Sequence, residues 1–332
     1  MTMTTPKVHR WTRTSIVGVA AFGLVAVVAA VLPFVVELAS LYALIDLFIL
    51  LILAVMWNLL AGYGGMVSIG QQAHIGLGAY GIVVIADILG INPFVAIPLA
   101  AVVSALLAIP ISFLAFRLAG GYFAVGTWVI AEVLRLVIVQ VPGLGGGSGI
   151  SISSLSGVDR ILRIVYTYWA ALAVAVIAVI VAVILVRSSR GLALTSVRDD
   201  SIAAASSGVR VAYSKRLVFV VAAAGAGAAG ALVALSSLRV QPDSVFSVQW
   251  AAFMIFMVII GGVGTLEGPI LGAIIFFVLK QIFADFGPLY LILLGVIGVV
   301  FALFIRQGAW GLISRRGSVL LFPVGYRLDK PE

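Results

Sequence analysis

Leu47-Phe48-Ile49-Leu50-Leu51-Ile52-Leu53-Ala54-Val55-Met56-Trp57-Asn58-Leu59-Leu60-Ala61, followed at once by Gly62-Tyr63-Gly64-Gly65, is the stretch on which the fold turns. Its apolar residues are continuous rather than alternating, so it is no segment of a transmembrane β-barrel. With its flank it makes an apolar run over 41–61, about the 20 residues an α-helix needs to cross a bilayer core. The run ends in glycines, not in a charged loop.

The same reading repeats along the 332 residues. Apolar runs lie at 15–36, 41–61, 73–89, 94–116, 121–140, 165–186, 216–238, 249–261, 270–284 and 288–305. The sequence therefore predicts an all-α integral membrane protein of about ten transmembrane helices with glycine-broken segments. Composition agrees: 63% of residues are apolar and 10% charged, with a mean hydropathy of +1.27, against about 45–50% and 25% in soluble domains. A soluble chain of this kind would carry a greasy exterior and aggregate. Soluble enzymes, nucleic-acid binders and disordered proteins are thereby excluded, despite the net charge of +8. The absence of cysteine rules out disulfides, iron–sulfur clusters and Cys-type zinc sites, and two histidines are few for a His-built metal site.

The first run follows Lys7, Arg10 and Arg13. It is longer than the roughly 7–15-residue apolar region of a signal peptide, so a retained anchor is expected. Basic residues set the orientation. With both termini inside, fifteen of the 20 Lys and Arg face the cytoplasm, including Arg117, Arg187, Arg198, Arg306, Arg315, Arg316 and Lys330; Arg160, Arg163 and Arg239 face out, and Arg135 and Lys280 lie in spans. The basic balance thus reports orientation, not a nucleic-acid partner. The organisation expected is a cytoplasmic segment 1–14, a polytopic domain 15–305 with a cytoplasmic loop at 187–216, and a cytoplasmic tail 306–332. Trp11, Trp57 and Trp310 fall near inner span ends and Trp169 and Trp250 near outer ones, as indole rings favour. Trp128, inside a span, reads as packing.

Two glycine-dense breaks interrupt the runs. The first is Gly62-Tyr63-Gly64-Gly65-Met66-Val67-Ser68-Ile69-Gly70-Gln71-Gln72-Ala73-His74; the second is Gly261-Gly262-Val263-Gly264-Thr265-Leu266-Glu267-Gly268-Pro269. Unwound backbone at membrane depth is tolerated only where protein or a water-filled cavity surrounds it, and paired interruptions point to a transport pathway. The first break reads equally as such a segment or as a tight turn, because Ser68, Gln71, Gln72 and His74 bring polar groups into a span. The second reads more readily as a turn. Gly64, Gly65, Ser68, Gln71, Gln72, His74, Gly261, Gly262, Gly264 and Thr265 are the pathway candidates. The outer loop Gly143–Gly149 is expected to be flexible, and no P-loop occurs in the chain.

Charges within spans are costly. Glu132 and Arg135, three apart, share a helix face and can pair. Asp46 and Asp87 sit where they could reach the interface, and no unpaired central carboxylate stands out for proton coupling. Ala222 to Gly230 presents small residues for close helix packing.

The longest inner loop contains Gly191-Leu192-Ala193-Leu194-Thr195-Ser196-Val197-Arg198-Asp199-Asp200-Ser201-Ile202-Ala203-Ala204-Ala205-Ser206-Ser207-Gly208. Asp199 or Asp200 can cap a helix starting near Ser201, and Gly208 can supply its left-handed stop. A short capped helix with a small-residue face suits insertion into a partner's cleft, although a plain connector is possible.

Ala203-Ala204-x-x-x-Gly208 is similar to the loop by which permeases of ATP-binding-cassette (ABC) importers contact their ATPases. The fuller string, with Val197-Arg198-Asp199-Asp200, resembles the version in branched-chain amino-acid permeases of the LivM type. Gly70 and Gly76-Leu77-Gly78-Ala79-Tyr80 agree, as do the second break and Gly308-Ala309-Trp310-Gly311. Departures are Ile202 in place of Glu, no downstream proline, His74-Ile75 in place of aromatic residues, and Leu144 and Ser148 in the outer loop. The resemblance implies an ABC importer permease fold and a transport subunit, not an enzyme. It would work in the bacterial inner membrane with a second, LivH-like permease, two cytosolic ATPases and a periplasmic or lipid-anchored solute-binding protein. It would bind no cofactor itself, since the ATP is used by its partners. Arg198, Asp199, Asp200, Ala203, Ala204 and Gly208 would couple it to the ATPase. The solute would be a branched-chain amino acid, or urea, a short amide or another small polar molecule. The competing class is a secondary carrier driven by an ion gradient.

Overall fold

The structure is a computed structural model that describes residues 8–9, 12–283, 286–287, 289–305, 307–314, 321–324 and 327–328. Lys7, Arg10, Trp11, Arg306, Arg315, Arg316 and Lys330, used above for orientation, lie outside these, as does much of the segments 1–14 and 306–332.

Each of the ten apolar runs is helical. The helices are α1 (Arg13–Val31), α2 (Leu38–Asn58), α3 (Gln72–Ile82), α4 (Pro93–Ala115), α5 (Gly121–Val139), α6 (Arg160–Arg187), α7 (Ser189–Asp199), α8 (Ser201–Ser206), α9 (Val211–Ser237), α10 (Pro242–Val245), α11 (Gln249–Gly261), α12 (Glu267–Phe283), α13 (Leu289–Phe304) and α14 (Gly308–Ser314). Among the described residues, seven are long and apolar enough to cross a membrane, or eight if α13 and α14, bent by 42°, form one span. Length alone thus supports fewer than ten crossings, because the breaks leave α3 and α12 short: α12 has 17 residues.

Local chemistry fixes several starts. Thr12 and Ser15 cap α1 reciprocally, at 3.2 and 2.9 Å. Asn92 caps α4 ahead of Pro93, and Asp159 accepts from Ile161 N–H at 2.8 Å, which starts α6 before its apolar run begins. Such caps are each worth about 1 kcal/mol.

The central helix is α9, enclosed by α2, α3, α4 and α6. Its small residues are there for packing. A Cβ on Gly230 would lie 1.9 Å from the Ile75 carbonyl oxygen, and one on Gly78 would lie 1.9 Å from that of Gly227. Here α3 and α9 touch backbone to backbone, as small residues allow in membranes. Outer helices turn large apolar side chains outward, among them Val25, Leu106, Ile177 and Leu303. Trp128 is on that outward surface, half exposed, and so does not pack inside the chain.

Charged groups within the spans find partners. Lys280 Nζ donates to Asp46 Oδ2 at 2.7 Å, tying α12 to α2. Asp46 is therefore paired with a lysine of another helix. Arg135 Nε bonds Glu132 at 3.0 Å, as their spacing predicts, and its Nη1 reaches Asp243 at 2.6 Å. Asp87 accepts from Ser153 and Ser154 N–H at 3.0 and 2.8 Å. The Gly143–Gly149 loop is anchored, not free: Ile150–Ser151 pairs antiparallel with Arg239–Val240, and Arg239 Nη2 bonds Ser148 O at 3.3 Å.

Candidate functional site

The two glycine breaks and the 187–216 loop meet at one place. Sequence reading treats them as three separate features; tertiary structure joins them.

The first break begins as a π-helical turn, Leu59–Tyr63, at the end of α2. Its hydrogen bonding is wider, with Gly64 N–H to Leu59 O at 3.1 Å and Met66 N–H to Leu60 O at 2.9 Å, and the Gly62 carbonyl lies in its last turn, outside the helix ladder. The irregular chain then runs to Gln71 before α3 begins. Gly65 and Val67 are exposed, whereas Gly64, Ser68, Gln71, Gln72 and His74 are buried.

Ser68 is built into a network. The Trp57 indole donates to Ser68 O at 2.8 Å, and Ser68 Oγ bonds Thr127 Oγ1 at 3.2 Å. Trp57 is thus an internal brace and not an interfacial anchor. Ser104 Oγ donates to Ala223 O at 3.0 Å, so it accepts from His74 Nδ1 at 3.1 Å. The His74 ring also stands edge-on to Phe219 at 5.6 Å. His74 thereby braces α3 against α4 and α9. Gln71 and Gln72 differ: both are buried, and among the described residues neither amide nitrogen nor oxygen has a hydrogen-bond partner. Buried amide groups of this kind are costly in a native core unless they are hydrogen-bonded.

The second break is a turn between α11 and α12. Thr265 Oγ1 accepts from Gly268 N–H at 3.0 Å and donates to Gly262 O at 2.9 Å, which caps α12. Gly261 is buried at the end of α11, and Gly262 and Gly264 have φ of +127° and +79°. Glu267, buried at the start of α12, accepts from Leu321 and Phe322 N–H at 2.9 and 3.1 Å.

Asn58 joins the breaks. It is the last residue of α2 and is buried; its Nδ2 donates to Thr265 O at 2.8 Å, and its Oδ1 accepts from Gly264 N–H at 2.9 Å. A Cβ at Gly62 would lie 2.6 Å from Gly264 N, so the two backbones touch. Sequence reading misses Asn58. The available signal is that it is the one amide inside an otherwise apolar run.

The loop between α6 and α9 forms two helices where one was expected. Asp200 caps α8 through Ile202 and Ala203 N–H at 2.8 and 3.0 Å, and Gly208 follows with φ +85°. Ile202 and Ala203 face outward while Ala204 packs inward. The unforeseen helix is α7, held by buried Leu194 and Val197. Arg198, next to last in α7, points back toward the breaks. Its Nη1 donates to Gly62 O at 2.8 Å, and Asp199 Oδ1 accepts from its Nε and Nη2 at 2.9 and 2.8 Å. A cavity of about 250 Å³ lies beside this junction, lined by Tyr63, Leu192, Thr195, Thr265 and Glu267.

Comparison with known proteins gives the family of the chain. The family model for branched-chain amino acid transport system permease components matches residues 39–304. The high-affinity branched-chain amino acid transport system permease protein LivM of Salmonella typhimurium is 29% identical over 308 residues, covering 85% of this chain and 72% of the relative. The LivM protein of Escherichia coli K12 is 27% identical over the same shares. No solved structure matches the chain. The chain belongs to the family of permease components of branched-chain amino acid transport systems.

Proposed function

We propose that this chain is a membrane permease subunit of an ATP-driven importer for branched-chain amino acids, coupled to a separate ATPase through α8. The observation that carries this reading is the small outward helix α8, capped by Asp200 and joined at Arg198 to two breaks in the membrane helices. The partners are a second, LivH-like permease, two cytosolic ATPases and a periplasmic or lipid-anchored solute-binding protein. The complex resides in the bacterial inner membrane with both termini of this chain cytoplasmic. This subunit performs no chemistry and binds no cofactor, and ATP is consumed by its partners.

In this reading, ATP-driven movement of α8 opens the first break and admits solute past Ser68, Gln71 and Gln72. Each glutamine amide offers both a donor and an acceptor without a fixed charge. Such groups suit an amino acid's ammonium and carboxylate, and allow passage without tight retention. The competing ion-coupled carrier needs an unpaired membrane carboxylate, and Asp46, Asp87 and Glu132 are all engaged.

Four measurements test the reading. ATPases and binding protein should co-purify with the chain in mild detergent. Proteoliposomes holding the whole complex should take up leucine only with ATP, with valine and isoleucine competing; uptake driven by an ion gradient without ATPase would overturn the proposal. Competition by urea or acetamide instead would reassign the solute. Gly208→Trp, which forces a side chain onto the left-handed backbone that ends α8 (φ +85°), should lower uptake at least tenfold while ATP hydrolysis continues. For the pathway, cysteines placed at 68 and 71, unique in a chain without native cysteine, should react with aqueous thiol reagents in one nucleotide state. Protection in both states removes these residues from the pathway.

A further inference from the structure

We propose that Arg198 and Asn58 are positioning residues that transmit the movement of α8 to both glycine breaks, an inference that rests on the coupling role given to α8 above. Arg198 lies in the loop string that would otherwise be assigned to ATPase contact, yet its guanidinium turns inward. One edge is held by Asp199, next to Asp200, which caps α8; Nη1 is held by the carbonyl oxygen of Gly62. Displacement of α8 therefore reaches the guanidinium through two adjacent residues, with no flexible linker between. A guanidinium is planar, always charged and able to bond along two edges at once, so it can hold both groups in fixed relation.

Gly62 lies in the last turn of the helical segment, whose carbonyls lack an intrahelical partner, so it can receive this bond. A continuing helix would spend that carbonyl on a backbone N–H four residues on; here it accepts from Arg198 at 2.8 Å. From Gly62 the path continues to the second break in two parallel ways. The backbones of Gly62 and Gly264 touch, and Asn58, one turn before Gly62, grips Gly264 N–H and Thr265 O with both ends of its amide. Gly264 also approaches the guanidinium, its Cβ position lying 3.4 Å from Arg198 Nη1. Neither break can move relative to α7 without breaking one of these bonds. The two breaks therefore shift together, and Arg198 is where the loop takes hold of them.

The experiment uses the complete reconstituted importer carrying Arg198→Gln, with a spin label on a cysteine replacing Val263, which is exposed in the second break. In the parent importer ATP should shift the label's spectrum. In the Arg198→Gln importer the ATPases should co-purify at the parent ratio and hydrolyse ATP, the ATP-dependent shift at 263 should be lost, and solute moved per ATP should fall at least tenfold. Arg198→Lys, which can reach Gly62 or Asp199 but not both, should be intermediate. Parent-like coupling and label response in Arg198→Gln overturn the proposal. So does loss of ATPase binding in that variant alone, since Arg198 would then contact the ATPase directly. If the parent chain itself fails to bind an ATPase, the coupling role of α8 falls instead.

Discussion

Gly230→Leu is expected to give a chain that inserts but does not fold into a single detergent-stable species. At Gly230 the first carbon of any side chain would sit 1.9 Å from the Ile75 carbonyl, and Gly78 meets Gly227 in the same way farther along the contact. The obstacle is backbone, which has no rotamer to yield, so α3 must separate from α9. Overpacking where side chains can adjust costs about 1–3 kcal/mol, and here the cost should exceed that range. Fluorescence-detected size exclusion should show loss of the monodisperse peak. Gly23→Leu on α1, where no atom lies within 4 Å, should leave the peak in place and is the control.

Lys280→Met is expected to lower stability by about 3 kcal/mol, the order of an uncompensated charge in a transmembrane helix. Lys280 Nζ is 2.7 Å from Asp46 Oδ2 and ties α12 to α2. Removing the lysine leaves a carboxylate that must stay charged without a partner or take up a proton. Pairing Lys280→Met with Asp46→Leu should recover most of the loss, because an apolar pair of similar size needs no desolvation. Thermal unfolding of the two single variants and the double variant gives the coupling. Additive losses would show that the pair contributes nothing as a pair. The same cycle bears on function, because a secondary carrier relying on Asp46 would lose transport in the double variant even with stability restored.

Several parts of the fold and of the site were legible from local patterns alone. Asp200 as a cap, Gly208 as a left-handed stop and the Glu132–Arg135 pair follow from spacing within one element, where helical periodicity fixes which groups meet. Other parts were not. Trp57 near a span end reads as an interfacial anchor, yet it braces Ser68 eleven residues on, because the chain doubles back at the break. Arg198 reads as part of an ATPase-coupling loop, but α7, unforeseen because it buries little beyond Gly191, Leu194 and Val197, turns it inward. His74, a pathway candidate from its place in the break, bonds Ser104 and meets Phe219 from α4 and α9, partners that no local pattern announces.

The sequence by itself determined that this chain lives in a membrane, where its helices run and where they are interrupted. Those properties depend on apolar content and on residues within one turn of each other. Only tertiary structure decided that the two interruptions and the loop are one junction. Asn58 and Thr265 are 207 positions apart, and Arg198 and Gly62 are 136 apart. The groups they bond are backbone carbonyls and amides, which every residue carries and no side-chain pattern can announce.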